Sequence, residues 1–211
     1  MMERSLPSPR QVVLSVFVAS LITTCVCLAH LSSGPEPPLP AFAWAAAFIF
    51  LVVEQDVRRT RIPNALTFPA LGAALAFGAW TGGLPGFAAA LGGALVPVAA
   101  LFLPFRSGGI KAGDVKALMV LGALWGWITV LSLLWWSLIA GGVIAIALLV
   151  ARGGLSDVVQ RWAASLGVTF STLKPTYMKP APGSVAAGGL PFGVAIGLAV
   201  AAERIWGIPW A

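Results

Sequence analysis

Two aspartates carry the chemistry that this chain can do. Asp114 stands in the stretch 107–122, SGGIKAGDVKALMVLG, where a loop gives way to a strongly apolar segment, and Asp56 follows directly on another apolar run, residues 41–55. Only seven of the 211 residues are acidic, and an ionised group inside hydrocarbon costs several kcal/mol, so a carboxylate at the lip of an apolar span asks for a purpose. Two carboxyl groups within a few ångströms of each other cannot both ionise cheaply; one keeps a proton that the other has given up. Such a pair can activate a water as general base while protonating a scissile carbonyl as general acid, which is aspartic-peptidase chemistry without a metal. Taken singly, either residue also suits a plainer role as an interfacial helix cap, and Asp114, followed by helical sequence, fits an N-cap.

The elements that must position the pair are membrane helices. Hydrophobic residues make up 59% of the chain and charged residues 9%, where soluble domains carry roughly a quarter charged; the mean hydropathy is +0.93. A soluble core of this length cannot hide so much apolar surface, whereas spans of about 20 residues expose it to lipid without cost. The expected fold is all-α, a polytopic membrane helical bundle of about seven transmembrane helices plus an interfacial amphipathic helix. The net charge of +6 comes from basic residues dispersed in short loops, which fits positive-inside sorting and not a nucleic-acid surface.

In chain order, Arg4 and Arg10 precede the apolar run 11–29. That run exceeds the roughly 7–15 residues of a signal-peptide core and reads as a retained anchor. With the Pro-rich linker 30–40 it forms an N-terminal extension, 1–40, ahead of a membrane domain, 41–206. Further spans are expected over 41–55, 65–80, 87–105, 114 to about 129, 133–150 and 187–205, with an uncharged turn over 81–86. In the long connection 151–185, Leu155, Val158, Val159, Trp162 and Leu166 share one helical face opposite Asp157, Gln160 and Arg161, the pattern of a helix lying on the membrane surface. Gly189, Gly193, Gly197 and Ala201 recur every four residues in the last span and are read as a packing stripe. His30 has no neighbouring ligands, and Cys25 and Cys27, in an apolar run, form no zinc knuckle or disulfide framework and read as packing residues.

With the amino terminus in the cytoplasm, twelve of the thirteen basic residues fall on the cytoplasmic side, Arg204 being the exception. Trp44, Trp80, Trp125, Trp127, Trp135, Trp136, Trp206 and Trp210 then gather near the outer interface, with Trp162 on the surface helix. Asp56 and Asp114 reach the same depth on the cytoplasmic side, where they can meet. Arg58, Arg59 and Arg61 read as topology signals, a role that Lys116 also fits.

The residues around both aspartates resemble a known family. Asp56-Val57-Arg58-Arg59-Thr60-Arg61-Ile62-Pro63-Asn64 is similar to the D-x5-I-P-N motif of type IV prepilin peptidases, and Ala112-Gly113-Asp114-Val115-Lys116 to their G-x-G-D-x-K signature. Leu190-Pro191-Phe192-Gly193 looks like the start of their last helix, so the resemblance covers about 41–205. These are membrane aspartic endopeptidases with one catalytic Asp in each motif. The resemblance implies Asp56 and Asp114 as the dyad, Gly113 as the residue giving the backbone room to bring Asp114 inward, and Lys116, Lys111, Pro63 and Asn64 in supporting or substrate-binding positions. It implies no cofactor and no metal, pilin-like precursors as substrates, and a bacterial inner-membrane location; it sets no oligomeric state. The larger members' cytoplasmic insertion with paired cysteines and methyltransferase activity has no match, so the chain looks like the short, peptidase-only form of Flp/Tad-type pilus systems. Lys111 departs from the motif by standing where its first glycine is expected. A lysine there favours an ionised Asp114, contacts an anionic group, or points to headgroups.

Two other function classes fit membrane carboxylates. A proton-coupled transporter would carry them nearer mid-membrane with a path to the outer face, and the later spans are read as holding no acidic residue to build one. A structural subunit of a pilus or secretion assembly would use both aspartates as caps.

Overall fold

The computed structural model describes residues 8–33, 39–106, 110–172 and 191–209. These residues form eight helices and, among them, no strand: α1 (Pro9–Ser33), α2 (Leu39–Arg59), α3 (Asn64–Ala100), α4 (Phe102–Arg106), α5 (Ala112–Trp125), α6 (Trp127–Ala151), α7 (Leu155–Thr172) and α8 (Phe192–Trp206). The chain is an all-α membrane helical protein. Three helices are long and apolar enough to cross a membrane, over Arg10–Cys27, Asn64–Ala100 and Trp127–Ala151. Large apolar side chains such as Val13, Phe17, Leu103 and Val143 stand exposed on the helices, as a lipid solvent permits. Two compact units divide the chain, residues 1–140 with 191–211, and residues 141–190.

In the first unit α1 packs on α2 and α8, α2 on α8, and α3 on α5. Gly197 of α8 lies where an added Cβ would meet Ile22 of α1 and Val53 and Ile49 of α2, so the absence of a side chain sets how closely these three helices approach. The 37 residues of α3 do not run straight. Gly83 takes φ 60 and ψ −145, a conformation that glycine adopts at little cost. A Cβ on Gly78 would lie 2.9 Å from Cβ of Ala90 and 3.0 Å from the Gly86 carbonyl, whereas in a straight helix residues 78 and 86 stand about 12 Å apart. So α3 folds back at Gly83 into two legs, 64–82 and 84–100, at the turn expected over 81–86. The second leg meets α5 with Gly93 against Gly122, backbone to backbone.

Several boundaries differ from expectation. The span expected from 114 to about 129 ends at Trp125, because Gly126 turns to φ 86 and its N–H closes on the Gly122 carbonyl at 2.8 Å. The 14 residues of α5 are about 21 Å long, short of the roughly 30 Å hydrocarbon core. His30 lies in the last turns of α1 and not in a linker, since the helix runs on to Ser33. Cys25 is on the exposed side of α1 and Cys27 is half-buried, both as free thiols, so Cys25 is not a core packing residue. Arg4, Gly189, Leu190, Lys174, Lys179, Trp210, residues 34–38 of the Pro-rich linker and the start of the 107–122 stretch lie outside the described residues.

In the second unit α6 ends in a Schellman motif: Gly153 takes φ 68, the Gly154 N–H bonds the Leu149 carbonyl at 2.8 Å, and the Gly153 N–H bonds that of Val150 at 3.2 Å. Three residues later α7 begins, with its Val158 N–H on the Gly154 carbonyl at 3.3 Å. The helix expected over 155–166 is present and continues to Thr172. Its Leu155, Val159 and Trp162 side chains are exposed.

Candidate active site

Asp56 sits in the last turn of α2. The helix stops at Arg59 because Thr60 takes φ 49, and the Thr60 N–H closes on the Asp56 carbonyl at 2.7 Å. The Asp56 side chain turns into the unit and is only 1% exposed. Its Oδ2 accepts the backbone N–H of Gly193 at 2.7 Å. Gly193 lies in the first turn of α8, after the N-cap Pro191, where N–H groups have no intrahelical acceptor and the helix dipole presents its positive end. The approach is tight, since an added Cβ would stand 3.0 Å from Asp56 Cβ, 3.1 Å from its Oδ2 and 3.2 Å from Val52 Cγ1, and one of these neighbours would have to give by a few tenths of an ångström. Gly193 is therefore part of the site, which corrects its assignment to a packing stripe alone. The signal was its place two residues after Pro191 at a helix start, where an amide is free to donate.

Asp114 is the third residue of α5 and 2% exposed. It is not the N-cap. Lys111 holds that position in extended backbone (φ −85, ψ 152), and Asp114 Oδ2 reaches back to accept the Lys111 N–H at 3.2 Å, as the third residue of a capping box does. Gly113 abuts the other motif, with an added Cβ only 3.0 Å from Ile62 Cβ.

The supporting residues lace the two motifs together. Lys111 Nζ donates to the Thr60 carbonyl at 2.9 Å. Lys116 Nζ donates to Asn64 Oδ1 at 2.8 Å and lies 4.5 Å from the centre of the Phe68 ring, a cation–π contact. Asn64 opens α3 behind its N-cap Pro63, so Pro63, Asn64 and Lys116 fix the start of α3 against α5. Lys116 is thus more than a topology signal. Arg58 instead pairs with Glu54 of its own helix at 2.9 Å, and Arg59 and Arg61 are exposed.

The two carboxyl groups lie outside the three lengths apolar enough to cross the membrane. Burial, and then the charge of Asp56, push Asp114 up to about 6, against the Lys111 N–H bond and the Lys111 charge. Asp56 is also raised, chiefly by burial, against the Gly193 N–H bond and Lys111. Both carboxyl groups therefore hold a proton to higher pH than an ordinary carboxylate does, with burial as the chief cause. Among the described residues no three His, Cys, Asp or Glu side chains are grouped to hold a metal ion.

Glu203 corrects the view that the later spans hold no acidic residue. It is buried near the opposite end of α8, about 15 Å along the axis from Gly193. Glu203 pairs with Arg204 at 3.2 Å, and Arg204 lies 5.2 Å from the Trp125 ring centre. Trp136 packs on Trp206 at 5.5 Å between ring centres and donates to the Gly207 carbonyl at 3.3 Å. Three of the tryptophans assigned to one interface therefore gather at the end of the first unit away from Asp56 and Asp114.

No curated protein and no solved structure matches the chain. The sequence model of the type IV leader peptidase family matches residues 42–146, a range that contains both aspartates and the loops that lace them. With that match over the two buried aspartates of an all-α membrane protein, the chain belongs to the type IV leader peptidase family.

Proposed function

We propose that the chain is an aspartic endopeptidase that removes the short basic leader from type IV pilin-like precursors at the cytoplasmic face of a bacterial inner membrane. The observation that carries this is the burial of both Asp56 and Asp114, from α2 and α5, near enough that the charge of Asp56 raises the pKa of Asp114. Each carboxyl is anchored through Oδ2 by a backbone N–H. The ionised member takes a proton from water, the water oxygen attacks the scissile carbonyl, and the protonated member donates to the carbonyl oxygen. Collapse of the tetrahedral species then breaks the C–N bond as the leaving amine is protonated. A precursor anchored by its own apolar helix presents its leader junction at the depth of a pair lying at span ends. In this topology the amino terminus is cytoplasmic, and the tryptophan-rich end is the outer one. The exposed apolar face of α7 lies against the headgroup layer.

Co-expression with a pilin-like precursor, followed by mass spectrometry, tests the proposal. The expected product lacks the basic leader just ahead of the apolar helix, and a precursor of unchanged mass in the presence of folded enzyme overturns it. Buried Glu203 gives a proton-relaying transporter its one point of support, by adding an acid near the other end of α8. Glu203→Gln is expected to leave cleavage per folded molecule within about twofold of wild type, because an acid some 15 Å from the pair neither donates to nor accepts from the reacting atoms. A loss of tenfold or more, measured on the same precursor, would favour the relay.

A further inference from the structure

Lys111 is the one residue of the two motifs that departs from the family pattern, and the fold gives it three contacts with the carboxyl pair and its supports. Its N–H holds Asp114 Oδ2 at 3.2 Å, its Nζ holds the Thr60 carbonyl at 2.9 Å, and its charge bears on both Asp56 and Asp114. We propose that Lys111 is a positioning residue for the carboxyl pair, clamping the end of the Asp56 helix to the start of the Asp114 helix and placing a fixed positive charge beside both. The inference rests on the peptidase reading and deepens it.

The need for a clamp follows from the packing. α2 is held mainly by α1 and α8, and α5 mainly by α3, so the two aspartates belong to different sets of neighbours. Near the pair, segment 60–62 meets segment 111–113 through Lys111 on Thr60 and Gly113 on Ile62. Thr60 lies just beyond α2, at the negative end of the helix dipole, where carbonyls lack intrahelical donors and an ammonium is favoured. A glycine at position 111 would retain the N–H to Asp114 but lose the ammonium, and with it both the tie to Thr60 and the charge. The alternative of a lysine reaching away to headgroups does not match an Nζ already engaged 2.9 Å from a carbonyl 51 residues back in the chain.

Among the described residues, the groups that face the two carboxyls are few. α2 contributes Asp56, α5 contributes Asp114, Lys111 precedes α5, and α8 brings the Gly193 N–H. Arg58 is engaged by Glu54, and Lys116 by Asn64 and Phe68. Because Lys111 is itself exposed, its charge acts partly through water and is weakened by salt.

The experiment uses the full-length protein in detergent and a synthetic precursor peptide with a basic leader and an apolar helix. Turnover is followed against pH at low and high salt for wild type, Lys111→Met, Lys111→Gly and Lys111→Arg. Removing the charge raises both carboxyl pKa values, so the whole bell of activity is expected to move upward by about half a pH unit in the Met and Gly variants. Their kcat is expected to fall about tenfold with KM within about twofold, since the clamp acts on the reacting groups and not on the substrate. Arginine restores the position of the bell, and high salt moves the wild-type bell toward that of the Met variant. A Met variant with wild-type kcat and bell overturns the proposal; so does a fall in kcat with the bell unmoved, which marks a merely structural contact, or a change in KM alone, which marks a substrate contact. If wild-type protein cleaves nothing, the peptidase reading fails, and amide hydrogen exchange at residues 60–62 decides the clamp separately. Faster exchange in Lys111→Met supports it, and equal exchange overturns it.

Discussion

Asp56→Asn and Asp114→Asn each abolish cleavage of a pilin-like precursor, with turnover expected to fall by about 10²–10⁴-fold or more, the range that a positioned acid or base contributes. Asparagine is the informative replacement because its side-chain oxygen can still accept the Lys111 or Gly193 N–H, while its amide cannot serve as acid or base. If the carboxyl groups only cap or pack, an amide of the same shape leaves the protein unchanged; if they exchange protons with water and substrate, it leaves the protein folded and inert. Persistent cleavage in either variant rejects the pair. Stability should move the opposite way to activity. Asp114 holds its proton up to about 6 when folded against an ordinary 3.8, so between those values the folded state binds more protons than the unfolded one, and stability falls as pH rises through the window. Above it, at neutral pH, the full cost of the buried charge is present. Asp114→Asn removes that cost, and its thermal inactivation midpoint in detergent at pH 7 should rise, by roughly 2–4 °C for each kcal/mol relieved in a chain of this size. The difference should shrink below pH 4, where the wild-type carboxyl is protonated in both states.

Gly193→Ala lowers cleavage per folded molecule by about 10-fold, and Gly193→Val by about 10²-fold, the cost of displacing a reacting group by an ångström or so. The added Cβ falls at 3.0 Å from Asp56 Cβ and 3.1 Å from Oδ2. Either α8 backs away, lengthening the 2.7 Å bond from the Gly193 N–H, or Asp56 turns from its present rotamer. Gly197→Ala is the matched control, because its Cβ would crowd Ile22, Val53 and Ile49 but no carboxyl group. Overpacking there is expected to cost about 1–3 kcal/mol of stability while cleavage per folded molecule stays near wild type. Equal losses of cleavage in the Gly193 and Gly197 variants would return Gly193 to the packing stripe.

Much of this molecule is written locally. Hydropathy alone marks the membrane class, since roughly 20-residue apolar runs with charges only at their ends have one stable solvent. The α3 hairpin is likewise legible from its uncharged turn over 81–86. The two aspartates stand out because acidic residues are scarce and both lie at span ends. Tertiary structure decided the rest, through contacts between residues far apart in sequence. No spacing pattern shows that the Gly193 N–H meets Asp56, that Lys111 reaches Thr60, or that Lys116 is held by Asn64. The small-residue stripe of α8 looks the same at Gly193, where it meets a carboxylate, as at Gly197, where it meets isoleucine and valine. Small side chains record that something comes close, not what it is. The early end of α5 depends on the φ of Gly126, which hydropathy does not register, and Glu203 was hidden by its position beside Arg204 at the edge of an apolar run. The sequence by itself determined which residues have to be buried in a membrane and which two carboxyl groups stand out at span ends, because both follow from the cost of placing each side chain in hydrocarbon. Which backbone amides and which lysine hold those two in place was settled only when helices distant in sequence packed together, because a hydrogen bond's partner depends on position in space.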